Sequence, residues 1–151
     1  MRQKLSRCIA LGLGAGLAPL APGTIGTLWG WAAWRVMGLW WAPETLLLVA
    51  LGGFAAGVWA CGRTARALGV PDHGAIVWDE IVAFWLVLAM LPGALLVQLA
   101  AFALFRFFDI VKPPPIRHFD ATIEGGFGIM FDDLVAAFYT LLVFAAWKAW
   151  T

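Results

Sequence analysis

Four long apolar stretches limit what this chain can fold into. They run from about 25 to 41, from 45 to 61, from 76 to 108, and from 129 to 150. A helix needs about 20 apolar residues to cross a bilayer, with a range of roughly 17–25. Apolar residues make up 63% of the 151 residues and charged residues 13%, which is more apolar surface than one soluble core can hide. The sequence predicts a single all-α, polytopic membrane domain over 1–151, with a soluble all-helical bundle as the minor alternative.

The third stretch is longer than one bilayer crossing needs, and Pro92-Gly93 interrupts it. Proline kinks or ends a helix, and Pro-Gly is a common turn pair. We therefore expect two short helices that form a hairpin, which gives four to five membrane helices in all.

Positive charge supports the hairpin, because loops on the cytoplasmic side of a membrane are enriched in Lys and Arg. If the N-terminus is inside, the hairpin puts most of the cations on that side: Arg2, Lys4, Arg7, Arg63, Arg66, Arg106, Lys112 and Arg117. The outer connections, near 42–44 and 92–93, contain no Lys or Arg. Arg35 and Lys148 are expected to extend toward the outer interface.

The acidic residues are concentrated in three short stretches. Eight of the nine lie in 72–80, 106–120 and 124–133, and Glu44 is the exception. The hairpin arrangement brings all three stretches to one face of the membrane, which indicates a functional site there.

Two pairs of adjacent carboxylates, Asp79-Glu80 and Asp132-Asp133, are predicted near the starts of apolar helices. Acids in a first turn complement the helix dipole, but a charge within a membrane helix is costly and usually functional. The glycine-rich segment 125–128 is predicted as a loop whose amide groups could face an anion. Adjacent carboxylates repel unless a cation lies between them or one takes a proton, so a divalent metal ion is the natural explanation.

The second acidic stretch also carries cations. Arg106 and Asp109 are three residues apart and can share a helix face, for which a plain ion pair is the simpler interpretation. Lys112 precedes a proline, which disfavours helical geometry. The proline run 113–115 is predicted as a stiff extended segment that fixes Lys112 relative to Arg117. Fixed cations beside carboxylates suit a phosphate ligand bridged by a metal ion.

Three other polar residues are weaker candidates. Thr24, in the segment 22–27, is either a helix N-cap or a phosphate contact through its hydroxyl. His73 and His118 could transfer protons, although a lone histidine is more often structural. Five carboxylates without a cysteine or imidazole cluster favour a hard cation such as Mg²⁺. The residues thus predict a metal–phosphate site and no nucleic-acid footprint, but they name no substrate.

Four segments, in order along the chain, together resemble the motifs of the phosphatidylglycerophosphatase A family. They are the loop with Pro19 and Pro22-Gly23-Thr24-Ile25-Gly26; Asp72-His73-Gly74 with Val77-Trp78-Asp79-Glu80; Phe105-Arg106 with Phe108-Asp109, Lys112-Pro113 and Pro115-Ile116-Arg117; and Gly125-Gly126-Phe127-Gly128-Ile129-Met130 with Asp132-Asp133. The resemblance covers about 12–137. Thr27 stands where serine is expected, and Ala83 where glycine is expected; neither departure touches the acids.

The resemblance implies Mg²⁺-dependent hydrolysis of phosphatidylglycerophosphate to phosphatidylglycerol and phosphate at a bacterial inner membrane, in a multi-pass protein whose active site faces the cytoplasm. It assigns metal binding to Asp79, Glu80, Asp109, Asp132 and Asp133, with catalysis by all of these but Asp132. It assigns phosphate binding to Arg106, Lys112 and Arg117, with Thr24 as the further candidate contact. Water activated by one of the acids and a covalent aspartyl-phosphate both remain open as mechanisms.

Two other functions use similar residues. A transferase of phospho-alcohol groups between lipids would normally have a longer Asp-rich helix motif with spaced aspartates after a glycine, which this chain lacks. A cation-coupled transporter would have acids near the bilayer midplane and an internal repeat, whereas these acids lie near helix ends. We expect the protein to be surrounded by membrane lipid and to act on a phospholipid substrate. The sequence leaves the oligomeric state open.

Overall fold

The computed structural model describes residues 2–70 and 73–151, and in these ranges every regular element is helical. Seven α-helices and one 3-10 segment follow in chain order: α1 Arg2–Ala10, the 3-10 segment Gly12–Leu17, α2 Pro22–Met37, α3 Pro43–Leu68, α4 Trp78–Met90, α5 Leu95–Val111, α6 Ile116–Thr122 and α7 Gly125–Trp150. The all-α prediction is confirmed. Asp72, which belongs to the first acidic stretch, lies outside the described residues.

Two helices, α3 and α7, are long and apolar enough to cross a membrane, with 26 residues each. Only 33% and 39% of their most apolar windows are buried inside the bundle, so most of these side chains face outward, as lipid contact requires. The other bundle helices are shorter, with 16 residues in α2, 13 in α4 and 17 in α5. At 1.5 Å per residue, α4 is about 20 Å long.

The predicted break at Pro92-Gly93 is present. Helix α4 ends at Met90 and α5 begins at Leu95, so the two form the expected hairpin. The guanidinium of Arg35 donates a hydrogen bond to the carbonyl oxygen of Gly93 at 3.2 Å. This contact ties the end of α2 to the hairpin turn and places Arg35 at the end of the bundle where it was expected.

Helix α4 is the centre of the bundle. It packs against α2, α3, α5 and α7, and its side chains are buried on every face, with Val82, Phe84 and Val87 fully inaccessible. The ring of Phe84 contacts Phe105 of α5 at 5.6 Å between centroids. A helix enclosed in this way can hold its first turn in a fixed place relative to its four neighbours.

Glycines allow the helices around α4 to approach closely. A methyl group at Gly30 of α2 would lie 2.9 Å from Ile81 of α4. At the crossing of α3 and α7, a methyl group at Gly62 would lie 2.8 Å from the backbone nitrogen of Gly126. Small residues at helix crossings are the usual means of close packing between membrane helices, so the backbones themselves set the spacing of the bundle.

The two ends of the bundle differ in chemistry. The starts of α2, α4 and α7 and the ends of α3 and α5 meet at one end, which carries the acidic residues. Exposed tryptophans follow α2 and end α7 at the other end: Trp40, Trp41, Trp147 and Trp150. Their position is the one expected for an aromatic belt at a membrane–water interface.

Candidate metal and phosphate site

Three helices bring together one carboxylate each. Glu80 comes from the first turn of α4, Asp109 from the last turn of α5, and Asp133 from α7. One oxygen from each of these side chains lies within 4.8 Å of the other two. Residues 29 and 24 positions apart in sequence thus form a compact trio of oxygen donors, which is the ligand type that Mg²⁺ prefers.

A cation fits this trio because the surrounding carboxylates have unsatisfied oxygens. Asp79 is 7% exposed and Asp133 is 3% exposed. Within the described ranges, Oδ1 of Asp79 and Oδ2 of Asp133 are buried and accept no hydrogen bond. The charge of Asp133 acts on that of Asp109, Asp79, Asp132 and Glu80. Buried carboxylates so close together require a cation or protons between them, and their oxygen chemistry suits a hard divalent ion.

Arg106 is part of this cluster. Its guanidinium lies 3.0 Å from Oε1 of Glu80 and also pairs with Asp109, one turn along α5. Its side chain is only 12% exposed. The ion pair with Asp109 is therefore present, and Arg106 joins two of the three clustered acids. Its single charge leaves the trio with Asp79 formally at −3, so a divalent cation would still lower the repulsion.

Lys112 lies at the edge of the site, just after α5. Its backbone leaves the helix, as expected, and is left-handed, with φ of +45°. Its ammonium contacts Asp132 of α7 at 2.6 Å and Asp120 of α6 at 3.1 Å. Burial alone would lower the pKa of Lys112, but the hydrogen bonds and charges of Asp132 and Asp120 raise that pKa above its usual value. Lys112 therefore carries a full positive charge beside the acids.

The five acids predicted as metal ligands are not equivalent. Glu80, Asp109 and Asp133 lie together, Asp79 precedes Glu80 in the first turn of α4, and Asp132 pairs with Lys112. Asp132 still acts on Asp79 and Asp133 through its charge. This division follows from helix geometry, because adjacent residues on a helix point about 100° apart and face different neighbours.

Two local predictions are wrong. The glycines from 125 to 128 do not form a loop: they are the first turn of α7, where Gly126 packs against the backbone of Val58 and Gly62 of α3. Asp132 and Asp133 consequently lie about two turns into the helix. The proline run 113–115 is not an extended segment either, because the amide of Ile116 closes a turn on the carbonyl of Pro113 at 2.9 Å.

The start of α2 lies at the site. A methyl group at Gly23 would collide with the carboxylate of Glu80, so this acid lies directly against the α2 backbone. Thr24 is in the first turn of the helix, half-buried. The N-cap is Ala21, without a side-chain capping bond, so the N-cap interpretation of Thr24 is wrong. Its contact with phosphate stays a prediction.

The remaining candidates lie farther out. Arg117 is exposed on α6 and makes no ion pair with the residues that the structure describes. His118 is exposed beside it. His73 accepts a hydrogen bond from the amide of Ala75 at 3.1 Å, which is a structural use of its ring. Sequence reasoning assigned no role to Asp120, because its pairing with Lys112 depends on the turn at 113–115.

Comparison with known proteins identifies the family of this chain. The family model of Phosphatidylglycerophosphatase A matches residues 8–148. A phosphatidylglycerophosphatase A of Haemophilus influenzae is 46% identical over 94% of this chain and 88% of its own length. One of Escherichia coli K12 is 45% identical over 85% of this chain and 74% of its own.

A third relative carries a different name. A putative phosphatidylinositol-3-phosphatase of Bacteroides thetaiotaomicron is 37% identical over 91% of this chain and 89% of its own length. No solved structure matches the chain. The family model covers all three acidic stretches, and the relatives match most of the chain, so this chain belongs to the phosphatidylglycerophosphatase A family and is a lipid phosphatase, a hydrolase of phosphoric monoesters.

Proposed function

We propose that the protein hydrolyses the terminal phosphomonoester of phosphatidylglycerophosphate, with Mg²⁺, to phosphatidylglycerol and inorganic phosphate. The observation that carries the proposal is the trio of Glu80, Asp109 and Asp133, whose oxygens lie within 4.8 Å of one another. The names of the two phosphatidylglycerophosphatase A relatives support the choice of substrate. Water supplies the oxygen that ends on phosphorus, and the phosphorus–oxygen bond to the glycerol breaks.

Glu80, Asp109 and Asp133 are the residues that would hold Mg²⁺. Bound there, the ion would polarise the phosphoryl group and lower the pKa of a water molecule. Arg106 holds Glu80 and Asp109 through its guanidinium, which fixes their positions. Asp79 has a buried oxygen, Oδ1, that accepts no hydrogen bond among the described residues and is the candidate to take a proton from the attacking water.

Lys112 is the candidate phosphate-binding cation. It already contacts two carboxylates, at 2.6 Å and 3.1 Å, and an ammonium can donate three hydrogen bonds. Exchange of the Asp120 contact for a phosphoryl oxygen would keep the ammonium in place while it offsets charge on the substrate. Arg117 is exposed on the neighbouring helix and would have to turn inward to join it.

The site is proposed to face the cytoplasm of a bacterial inner membrane. Arg63 and Arg66 lie in the last two turns of α3 at the same end of the bundle as the acids. The opposite end carries Arg35 at the hairpin turn and the exposed tryptophans. This asymmetry supports the orientation that the positive-inside rule favours.

The test is phosphate release by protein purified in detergent, with Mg²⁺ or with chelator. Asp133→Asn and Glu80→Gln should each lower release at least about a hundredfold, as loss of a catalytic group does. Glu44→Gln is the matched control, because Glu44 is an exposed acid in the first turn of α3, at the opposite end of the bundle from the cluster; it should leave release unchanged. Release that is insensitive to chelator, or that survives Asp133→Asn, would contradict the proposed site.

Phosphatidylinositol 3-phosphate should be run as a second substrate, because one relative is named for it. Faster release from that lipid than from phosphatidylglycerophosphate would keep the acidic site and replace the substrate. No release from either lipid would contradict the proposed reaction.

A further inference from the structure

An apolar groove runs between α5 and α7, the two helices that carry Asp109 and Asp133. It encloses about 370 Å³, and its walls include Leu96, Ala100 and Leu104 of α5 and Val143, Phe144 and Trp147 of α7. Leu96 is 80% exposed and Trp147 is 71% exposed, so the groove is open along the outside of the bundle. Within residues 2–70 and 73–151, every side chain that lines it is aliphatic or aromatic.

The groove and the acidic site lie along the same two helices. Helices α5 and α7 are antiparallel, since α5 ends at the acids and α7 begins near them. The rings of Phe108 of α5 and Tyr139 of α7 are 5.6 Å apart between centroids, and along each helix they come between the acid and the groove residues. Along α5, Leu104 lies five residues from Asp109, and Leu96 lies thirteen residues from it. These spacings correspond to about 7 and 20 Å along the helix axis.

The part of this range nearer the acids lies within the length that the acyl chains of one leaflet extend. The hydrocarbon core of a bilayer is about 30 Å thick, so the acyl chains of one leaflet extend about 15 Å from the interface. A lipid whose phosphate lies at Asp109 and Asp133 would therefore place its acyl chains at the depth of the groove. The polar group and the apolar groove lie at the correct separation for one molecule.

We propose that this groove holds one acyl chain of the lipid substrate, with the phosphomonoester at the acids. The inference rests on the proposed function, which makes the substrate a diacyl lipid. An acyl chain gains no hydrophobic energy when it moves from bilayer to groove, because lipid tails are as apolar as leucine. The groove instead fixes the depth and direction of the substrate, and orientation of a reacting group is a major source of rate.

The decisive variant fills the groove. Ala100→Phe places a ring between its walls, and Ala103→Phe is the matched control, because Ala103 is an exposed alanine of the same helix that does not line the groove. Each protein is assayed on dioleoyl phosphatidylglycerophosphate in mixed micelles and on the deacylated, water-soluble headgroup. Ala100→Phe should lower kcat/KM about tenfold for the lipid, as misplacement of a substrate does, and should leave the deacylated compound unchanged.

Three outcomes would overturn the proposal. Equal loss on the two substrates would mean that the phenylalanine disturbs the acidic site, and no loss on the lipid would mean that the groove is not used. Loss in Ala103→Phe equal to that in Ala100→Phe would likewise remove the special role of the groove.

A binding measurement separates this proposal from the proposed function. Native mass spectrometry in detergent counts the molecules of dioleoyl phosphatidylglycerophosphate retained by each protein. If wild type releases phosphate from neither compound, the proposed reaction fails, but lipid retention still tests whether the groove holds an acyl chain. Retention that is lost in Ala100→Phe and kept in Ala103→Phe supports the groove. Equal retention by all three proteins overturns it.

Discussion

Substitution of Gly62 by alanine tests the crossing of α3 and α7 that positions Asp133. The added methyl group would lie 2.8 Å from the nitrogen and 2.9 Å from the Cα atom of Gly126. Ordinary van der Waals contact begins at 3.4 Å. Both obstacles are backbone atoms, so no side chain can turn aside, and the two helices must separate by about half an ångström.

The expected magnitude follows from two opposing effects. Overpacking of a tight contact costs about 1–3 kcal/mol, while replacement of a helical glycine by alanine stabilises by about 0.5–1 kcal/mol. The net destabilisation should therefore lie near 1 kcal/mol. Since misplacement of reacting groups by 1 Å can cost about a hundredfold in rate, half that displacement of α7 should lower phosphate release about tenfold.

The same substitution at Gly52 provides the control. Gly52 lies in the same helix, and a methyl group there would meet no atom within 4 Å. Thermal unfolding in detergent and phosphate release are measured for both variants. Gly52→Ala should be as stable as wild type or more so, with full activity. If Gly62→Ala behaves in the same way, the two helices do not pack as described and the reasoning is refuted.

Three further outcomes are expected. Asp120→Asn removes the contact of Lys112 that phosphate is proposed to replace and should lower KM by up to about fivefold, since an exposed ion pair is worth up to about 1 kcal/mol; a raised KM would contradict this exchange. Gly23→Ala should displace Glu80 and weaken Mn²⁺ binding, read by electron paramagnetic resonance; unchanged binding would exclude Glu80 from the metal site. The pKa of Lys112 is raised in the folded protein above its ordinary value of 10.5. The ion pair with Asp132 therefore stabilises the fold fully below pH 10.5 and progressively less above it. Beyond this pH, the unfolding temperature of Lys112→Met should fall less steeply than that of wild type.

Much of the architecture follows from local signals in the sequence. The Pro92-Gly93 break predicts the hairpin because proline acts within its own helix and needs no tertiary partner. The grouping of acids at one end also follows, since apolar length fixes which helix ends meet. The short helices α1 and α6 were not predicted, because neither has the long apolar run that identifies a membrane helix.

The details that sequence missed depend on contacts between distant segments. The glycines from 125 to 128 look like a loop, yet Gly126 is helical because α3 provides Gly62 as a surface for close packing. The roles of Asp132 and Asp133 could not be separated by spacing, since their difference is the neighbour each one faces: Lys112 for Asp132 and the acids of α4 and α5 for Asp133. Such pairings appear only when the helices are packed.

The shortness of α4 recesses the acidic site within the bundle. At about 20 Å, the helix is shorter than the hydrocarbon core of about 30 Å, and its two ends are fixed by the acids and by the turn at Pro92-Gly93. Helix α4 is enclosed by its neighbours, whereas the outward-facing helices α3 and α7, with 26 residues each, are about 39 Å long. The end of α3 and the start of α7 therefore form a rim beyond the acids, and the phosphate of the substrate has to pass inside this rim to reach them.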